Sequence, residues 1–291
     1  MVTGGNGQVA TALKKLDSDL YYEFLCSDDL DICNPQAIGD CFEEIEPGLV
    51  INAAAYTAVD DAETNFESAY RVNKFGPELL AIACANSKTP FIHLSTDYVF
   101  NGDSTIPYTE EAKVCPLGAY GQTKLDGEEA VRALLDEHVI LRVSGVFSGH
   151  APCFPRAILK AALQQDDLNV VSNQITSPTS ADSIALVLDL MALKVFAGNL
   201  NWGTYHFAQK PFLSWHEFAQ VIIDIAQNMD NRFVNTKIRP VRANEFDALA
   251  RRPRYACLDS SKLISELCLD FAVLSRETDL TDAIREITRQ L

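Results

Sequence analysis

The sequence predicts an α/β protein built on a doubly wound parallel sheet, with a smaller, partly interleaved α/β lobe on its C-terminal side. Three observations carry this. Short apolar runs of buried-strand type recur through the first half. Stretches long and periodic enough for helices separate them, and strand, helix, strand at this interval means parallel βαβ units. A glycine-rich turn opens the chain ahead of a first helix.

In chain order, residues 8–16 make a fair first helix and 22–26 a second strand. Residues 49–54 (LVINAA), 90–94 (PFIHL) and 139–143 (VILRV) are the apolar runs, with helices expected over 67–85 and 123–135 between them. The second half is more mixed. Residues 204–208 (TYHFA) read as a strand, 214–230 and 260–267 as helices, and proline-containing loops at 177–179 and 252–254 interrupt them. No internal repeat or low-complexity tract is present. The expected boundary falls near residue 150. Residues 1–150 form the first domain, and 151–291 form mainly a second lobe with segments returning to the first.

The chain has 291 residues, enough for a sizeable core. Its 47% hydrophobic and 22% charged content is that of an ordinary globular protein. Twenty-four basic against 40 acidic residues leave a net charge of −16, which argues against a nucleic-acid partner. No run approaches the roughly 20 apolar residues of a membrane span, so no membrane partner is expected. No signal peptide is visible. The eight cysteines form no CxxC pair and fit no zinc spacing, so they read as reduced thiols of a cytoplasmic protein. The five histidines make no HExxH pattern, and no residue argues for a metal. A Mg2+ requirement cannot be read from the sequence. A homodimer is a candidate assembly.

Residues 3–10 read TGGNGQVA, which puts Gly4, Gly7 and Ala10 in the slots of a G-x-x-G-x-x-G/A turn. Such a turn lets the backbone approach a pyrophosphate, whose charge then meets the free N–H groups of a helix N-terminus. A plain glycine-rich turn is the alternative. Only Met1–Thr3 precede Gly4, so the expectation is that a few residues of the first strand are missing from this sequence. After the second strand, Asp28, Asp29 or Asp31 could contact an adenosine ribose, with no arginine alongside. That leaves NADH or NADPH open, with a lean to NADH.

Tyr120 and Lys124 form Y-x-x-x-K, and at i and i+4 on a helix they share one face. A nearby ammonium favours phenolate, so the phenol is expected to exchange a proton near neutrality. The run at 91–94 ends in Ser95-Thr96-Asp97, and ligands bind outside the carboxyl ends of such strands. Thr96 is therefore placed to bind a substrate carbonyl oxygen beside Tyr120. Loop capping is the alternative role for Ser95 and Thr96.

Taken together these residues resemble the extended short-chain dehydrogenase/reductases, and among them the dTDP-4-dehydrorhamnose reductase family. The likeness runs over nearly the whole chain. It is carried by Gly7-Gln8-Val9, Asp31-Ile32, the run from Asn52 to Asp60 (NAAAYTAVD), Val72-Asn73 and, most specifically, Leu94 to Phe100 (LSTDYVF). Downstream, Ser177-Pro178-Thr179, residues 203–207 (GTYHF), residues 214–219 (SWHEFA), Arg252-Pro253 and Leu258-Asp259 add to it.

The resemblance implies a Rossmann-like dinucleotide-binding domain and a substrate lobe. It implies an NAD(P)H-dependent oxidoreductase that reduces the C4 ketone of dTDP-4-dehydro-L-rhamnose to dTDP-L-rhamnose. That step belongs to nucleotide-sugar and cell-surface polysaccharide biosynthesis, lipopolysaccharide O-antigen included. The cofactor site would comprise Gly4, Gly7, Gln8, Val9, Asp31, Ile32, Ala54, Ala55, Tyr56, Thr57, Leu94, Tyr120 and Lys124. Tyr120, Lys124 and Thr96 would be catalytic, with Tyr120 the proton donor. Thr96, Asp97, Gly145 and Arg252 would contact the nucleotide-sugar substrate, with Arg251 and Arg254 further candidates for its diphosphate.

The departures from the family fall in the substrate lobe. Residues 143–147 read VSGVF where the family has T-S-W-V-Y, so Gly145 stands in place of a tryptophan. Cys153-Phe154 replaces N-F, residues 173–179 (NQITSPT) replace D-Q-x-G-x-P-T, and Tyr255-Ala256-Cys257 replaces a sequence such as N-S. These leave a second 4-keto-6-deoxy sugar as an alternative substrate. Two other classes are a cofactor-binding regulatory subunit like that of methionine adenosyltransferase, and a sugar-nucleotide epimerase or dehydratase.

Overall fold

The computed structural model describes residues 1–245, 248–270, 275 and 277–291. The C-terminal lobe expected over 151–291 includes residues 246, 247, 271–274 and 276, which lie outside the described residues. The strands in chain order are β1 (Val2–Thr3), β2 (Phe24–Leu25), β3 (Val50–Asn52), β4 (Phe91–Thr96), β5 (His138–Val143), β6 (Val146–Phe147), β7 (Asp167–Val171), β8 (Ile175–Thr176), β9 (Thr179–Ser180), β10 (Gly203–Phe207), β11 (Leu213–Ser214), β12 (Lys237–Val241) and β13 (Tyr255–Ala256). The helices are α1 (Gln8–Lys15), α2 (Pro35–Ile45), α3 (Val59–Thr64), α4 (Phe66–Tyr70), α5 (Gly76–Ser87), α6 (Ala119–Leu134), α7 (Phe154–Ala162), α8 (Ala181–Phe196), α9 (Trp215–Met229), α10 (Ser261–Leu267) and α11 (Glu277–Gln290).

Six strands form one sheet in the order β10-β5-β4-β3-β1-β2, and every pairing in it is parallel. The order reverses between β1 and β3, the place where open α/β sheets bind ligands. The strands are apolar on both faces because helices cover both. Ile51 and Ile92 pack with Val9 and Leu13 of α1 and with Leu188 and Met191 of α8. Their neighbours Val50 and Phe91 point the other way, onto Ile38 of α2, Leu80 of α5 and Val131 of α6. Each such fully buried side chain contributes about 1.5–3 kcal/mol.

A second core lies outside this sheet. Leu159 of α7, Phe218 and Ile222 of α9, and Ile284 of α11 pack on Leu168 of β7 and Ile238 of β12. β7 and β12 pair in parallel, and β8 is flanked by β11 and β13. Two elements from beyond residue 150 belong to the first sheet: β10 is its outer strand and α8 covers one face.

The expected second strand over 22–26 is only two residues long. The first strand is also two residues, and Val2 and Thr3 pair with β2 on one side and β3 on the other. The helix expected over 67–85 is α4, a π-helical turn at Arg71–Phe75, and α5. Pro77 in the first turn of α5 has no N–H to donate back, and the helix widens just before it. No helix among the described residues is long and apolar enough to cross a membrane.

Candidate active site

Gly4 follows β1 with φ +70, a left-handed conformation that favours glycine. A Cβ there would lie 2.6 Å from the Ala54 backbone nitrogen, so only a glycine lets β1 and the loop after β3 approach this closely. Gly7 caps α1 in extended conformation and offers no side-chain acceptor to the helix. The first N–H groups of α1, at Gln8 and Val9, are thus left for an anion. This uncapped helix end beside a turn that tolerates no Cβ fits the pyrophosphate of a dinucleotide. Gln8 is held by Ser148, whose Oγ donates to its Oε1 at 2.9 Å.

The remaining expected cofactor residues lie along the carboxyl edge of the sheet. Ala54, Ala55, Tyr56 and Thr57 form the loop after β3. Asn73 fixes that loop by accepting from the Tyr56 N–H at 2.8 Å and donating to the Tyr56 carbonyl at 3.1 Å. Asn73 Nδ2 also donates to Thr123 of α6. Asp31 is exposed and bonded to the Arg71 guanidinium at 2.9 Å, while Ile32 is buried against Gly76. The lack of an arginine near the second strand holds only in sequence, since folding brings Arg71 to Asp31.

Tyr120 sits in the first turn of α6, and Thr96 ends β4 beside it. A Cβ at Gly121 would lie 2.2 Å from the Tyr98 carbonyl oxygen, so this glycine lets α6 press against the strand end. The Tyr98 and Tyr120 rings meet edge to face, 5.5 Å apart. Burial chiefly raises the Tyr120 phenol above its ordinary range, the Asp97 and Tyr98 charges add to this, and a hydrogen bond with Thr96 opposes it. The expectation that Lys124 draws the phenol towards neutrality is therefore corrected. Lys124 Nζ instead donates to the Leu94 carbonyl at 2.7 Å and is 2% exposed. Burial lowers the Lys124 ammonium to about 8, and Glu128 opposes this.

Glu128 anchors the same helix. Its buried carboxylate takes two hydrogen bonds from Arg142 of β5, at 2.6 and 2.9 Å, and one from Ser95 of β4. Removing one partner of such a buried pair costs about 3–5 kcal/mol, so α6 is held firmly against β4 and β5.

A cleft of about 1220 Å³ opens here, lined by Gln8, Thr57, Thr96, Tyr120, Gly145 and Arg252 among others. Asp97 also borders it but is 2% exposed. Its carboxylate accepts from Ser144 Oγ at 2.7 Å and from Thr96 Oγ1 at 3.0 Å, so it orients the threonine. Burial pushes Asp97 up to about 6. Gly145 has φ +55, and a Cβ would lie 3.0 Å from the Ser177 carbonyl oxygen. A side chain at this position would thus meet both a left-handed backbone and a close carbonyl. Arg252 is not free for a diphosphate, because both terminal nitrogens are bonded to Asp60. The exposed Arg242, Arg251 and Arg254 line the same end of the cleft. Among the described residues no cluster of three or more His, Cys, Asp or Glu could hold a metal ion.

A glycine turn at the switch point of a parallel sheet, with Tyr120, Lys124 and Thr96 beside it, defines a dinucleotide-dependent oxidoreductase of the short-chain type. Residues 1–288 match the family described as RmlD substrate binding domain. A dTDP-4-dehydrorhamnose reductase of Aggregatibacter actinomycetemcomitans is 37% identical, over 90% of this chain and 91% of that protein. The crystal structure of a dTDP-4-dehydrorhamnose reductase from Clostridium acetobutylicum superposes with a TM-score of 0.86 at 33% identity, over 99% of this chain and 98% of that one. That from Bacillus anthracis, solved in complex with NADP, has a TM-score of 0.84 at 29% identity, over 100% and 98%. The chain belongs to the dTDP-4-dehydrorhamnose reductase family, and NAD(P)H is its cofactor class.

Residues that sequence reasoning missed are Asn52, Asn73, His93, Glu128, Arg142 and Ser144. The Val72-Asn73 motif was the one available signal for Asn73. Polar residues inside apolar strand runs were the signal for His93 and Arg142.

Proposed function

We propose that this chain reduces the C4 ketone of dTDP-4-dehydro-L-rhamnose, giving dTDP-L-rhamnose. The observation that carries the reading is Tyr120 and Thr96 lining together a cleft that runs from the α1 N-terminus to the arginines of the second lobe. Reduced nicotinamide bound at the switch point supplies the hydride. Tyr120, kept protonated by burial, donates its phenolic proton to the oxygen on which charge develops. Thr96, whose hydroxyl points to Asp97 here, would turn its one proton from that carboxylate to the same oxygen when substrate binds. Lys124 holds a proton in reserve on the same helix face. Arg251, Arg254 and Arg242 take the diphosphate, and Arg252 shapes that end of the cleft through Asp60.

Both cofactors are proposed as substrates. Arg71, held beside Asp31 by an exposed ion pair, offers a cation to the 2′-phosphate of NADPH. Gly145 supports a second reading, in which another nucleotide-linked 4-keto-6-deoxy sugar is reduced by the same residues. The eight free thiols support a cytoplasmic setting. Exposed Phe66, Phe75 and Ile82 on the α4–α5 side support a homodimer, which sedimentation would check.

The test is loss of reduced-cofactor absorbance with NADH and NADPH in parallel. The 4-keto sugar nucleotide is made in situ by a dTDP-glucose 4,6-dehydratase with and without a 3,5-epimerase. Oxidation that needs the epimerase supports the rhamnose assignment. Oxidation without it selects another 4-keto sugar. No oxidation overturns the reductase reading.

A further inference from the structure

Four buried polar groups run in line beneath the site. Thr3 Oγ1 donates to Asn52 Oδ1 at 2.6 Å. The Ala54 backbone N–H donates to the same oxygen at 3.1 Å. Asn52 Nδ2 lies 3.1 Å from His93 Nδ1, and His93 Nε2 lies 3.4 Å from Lys124 Nζ. Thr3, Asn52 and His93 are register partners on β1, β3 and β4. They face α6, and all three are at most 1% exposed.

The donor pattern leaves no freedom. A backbone N–H can only donate, so the Asn52 atom facing Ala54 is its oxygen and the atom facing His93 is its amide nitrogen. His93 Nδ1 must then accept, and a neutral ring carries its proton on Nε2. That N–H points at Lys124, whose ammonium has only donors, whereas its amine has a lone pair. We propose that Thr3, Asn52 and His93 form a chain that fixes the Nε2–H tautomer of His93 and thereby favours the amine form of Lys124 over the ammonium. His93 is a positioning residue in this scheme. Its function is to ease release of the Lys124 proton, since the amine left behind accepts a hydrogen bond from His93 Nε2–H.

The other charged and titratable groups around the pair come from two elements. Glu128, Arg132 and Tyr120 belong to α6, while Arg142 and His138 belong to β5. Glu128 is engaged by Arg142 and Arg132, which weakens its hold on the Lys124 charge. From the β3 side only the uncharged Asn52 reaches the ring, and the π-helical turn presents the uncharged Asn73 to α6 at Thr123. Burial and the Lys124 charge push His93 well below its ordinary value, which keeps it neutral.

The test is nitrogen NMR of protein labelled at histidine, with the His93 signal identified by its loss in His93→Gln. The expected form at neutral pH is neutral Nε2–H. A neutral Nδ1–H ring or an imidazolium overturns the proposal, whatever reaction the protein performs. In Asn52→Asp the carboxylate accepts from Nδ1–H, the tautomer reverses, and the Lys124 titration, read from its labelled ε-carbon, moves up by about one unit or more. His93→Gln, whose amide can turn its oxygen to Lys124, should move it the same way. An unmoved titration in both variants overturns the proposal. The kinetic arm alone rests on the reductase reading. The basic limb of kcat should shift with Lys124, raising the rate at about pH 9 relative to pH 7 by about fivefold for one unit.

Discussion

Arg252 grips Asp60 with two hydrogen bonds, of 2.6 and 3.1 Å, across 192 residues of sequence. The pair joins the loop before β13 to the helix after β3, one from each side of the cleft. Arg252→Ala should therefore loosen the rim more than it weakens the fold. Rim ion pairs are worth about 0–1 kcal/mol, so the melting temperature should barely move. The KM for the sugar nucleotide should rise about tenfold, about 1.4 kcal/mol, with kcat little changed. A large fall in kcat with KM unchanged would contradict the assignment.

Tyr120→Phe removes the phenolic proton and keeps the ring contact with Tyr98. Turnover should fall by about a hundredfold to ten-thousandfold. Cofactor binding, followed by nicotinamide fluorescence, should stay within about twofold because the pyrophosphate cradle is untouched. Turnover near the wild-type value would show that another group supplies the proton.

Asp97 gives the protein a pH dependence whose sign can be worked out. Its folded value of about 6 lies above the ordinary aspartate value of 3.8, so the charged form is disfavoured by folding. This cost is absent below about pH 4, grows as pH rises through 6, and then stays constant, at up to roughly 3 kcal/mol. Asp97→Asn should flatten that part of the stability curve, as urea unfolding at pH 4.5 and 7.5 (about three units apart) would show. An identical pH dependence in the variant would place the titration elsewhere.

Gly145→Ala should lower stability, because a left-handed residue with a side chain costs about 1–2 kcal/mol. The close Ser177 carbonyl adds to that. The melting temperature should drop by a few degrees. An unchanged melt would mean that the loop relaxes out of its positive φ.

Arg71→Ala should raise the KM for NADPH by about tenfold and that for NADH by less than about twofold, since only NADPH carries the 2′-phosphate. Equal effects on both would move the phosphate contact away from Arg71.

The glycine turn, the strand-helix alternation and the Tyr120/Lys124 pair could be read from the chain because each is a local pattern with its own period. The residues that hold them in place could not. His93 and Arg142 sit inside apolar runs, and their roles depend on which strands lie side by side. Asp31 and Arg71 are 40 residues apart and meet only once β2 and the π-helical turn are placed. Arg252 read as a free cation because Asp60 is distant in sequence. The expected proton affinity of Tyr120 failed for a related reason: sequence spacing put a cation on the same helix face, but burial raises the phenol and the ammonium is turned to Leu94.

The outer strand of the large sheet has a consequence for synthesis. From Val139 to Val143, β5 pairs with β10, whose register partners the ribosome makes 64 residues later. Until residue 207 has emerged, Val139, Ile140 and Leu141 present an open backbone edge to the surroundings, the kind of edge that invites pairing with another chain. The nucleotide-binding half should therefore remain dependent on chaperones through most of translation. A gene split near residue 150 should yield an aggregating first fragment, rescued when the second is made alongside it.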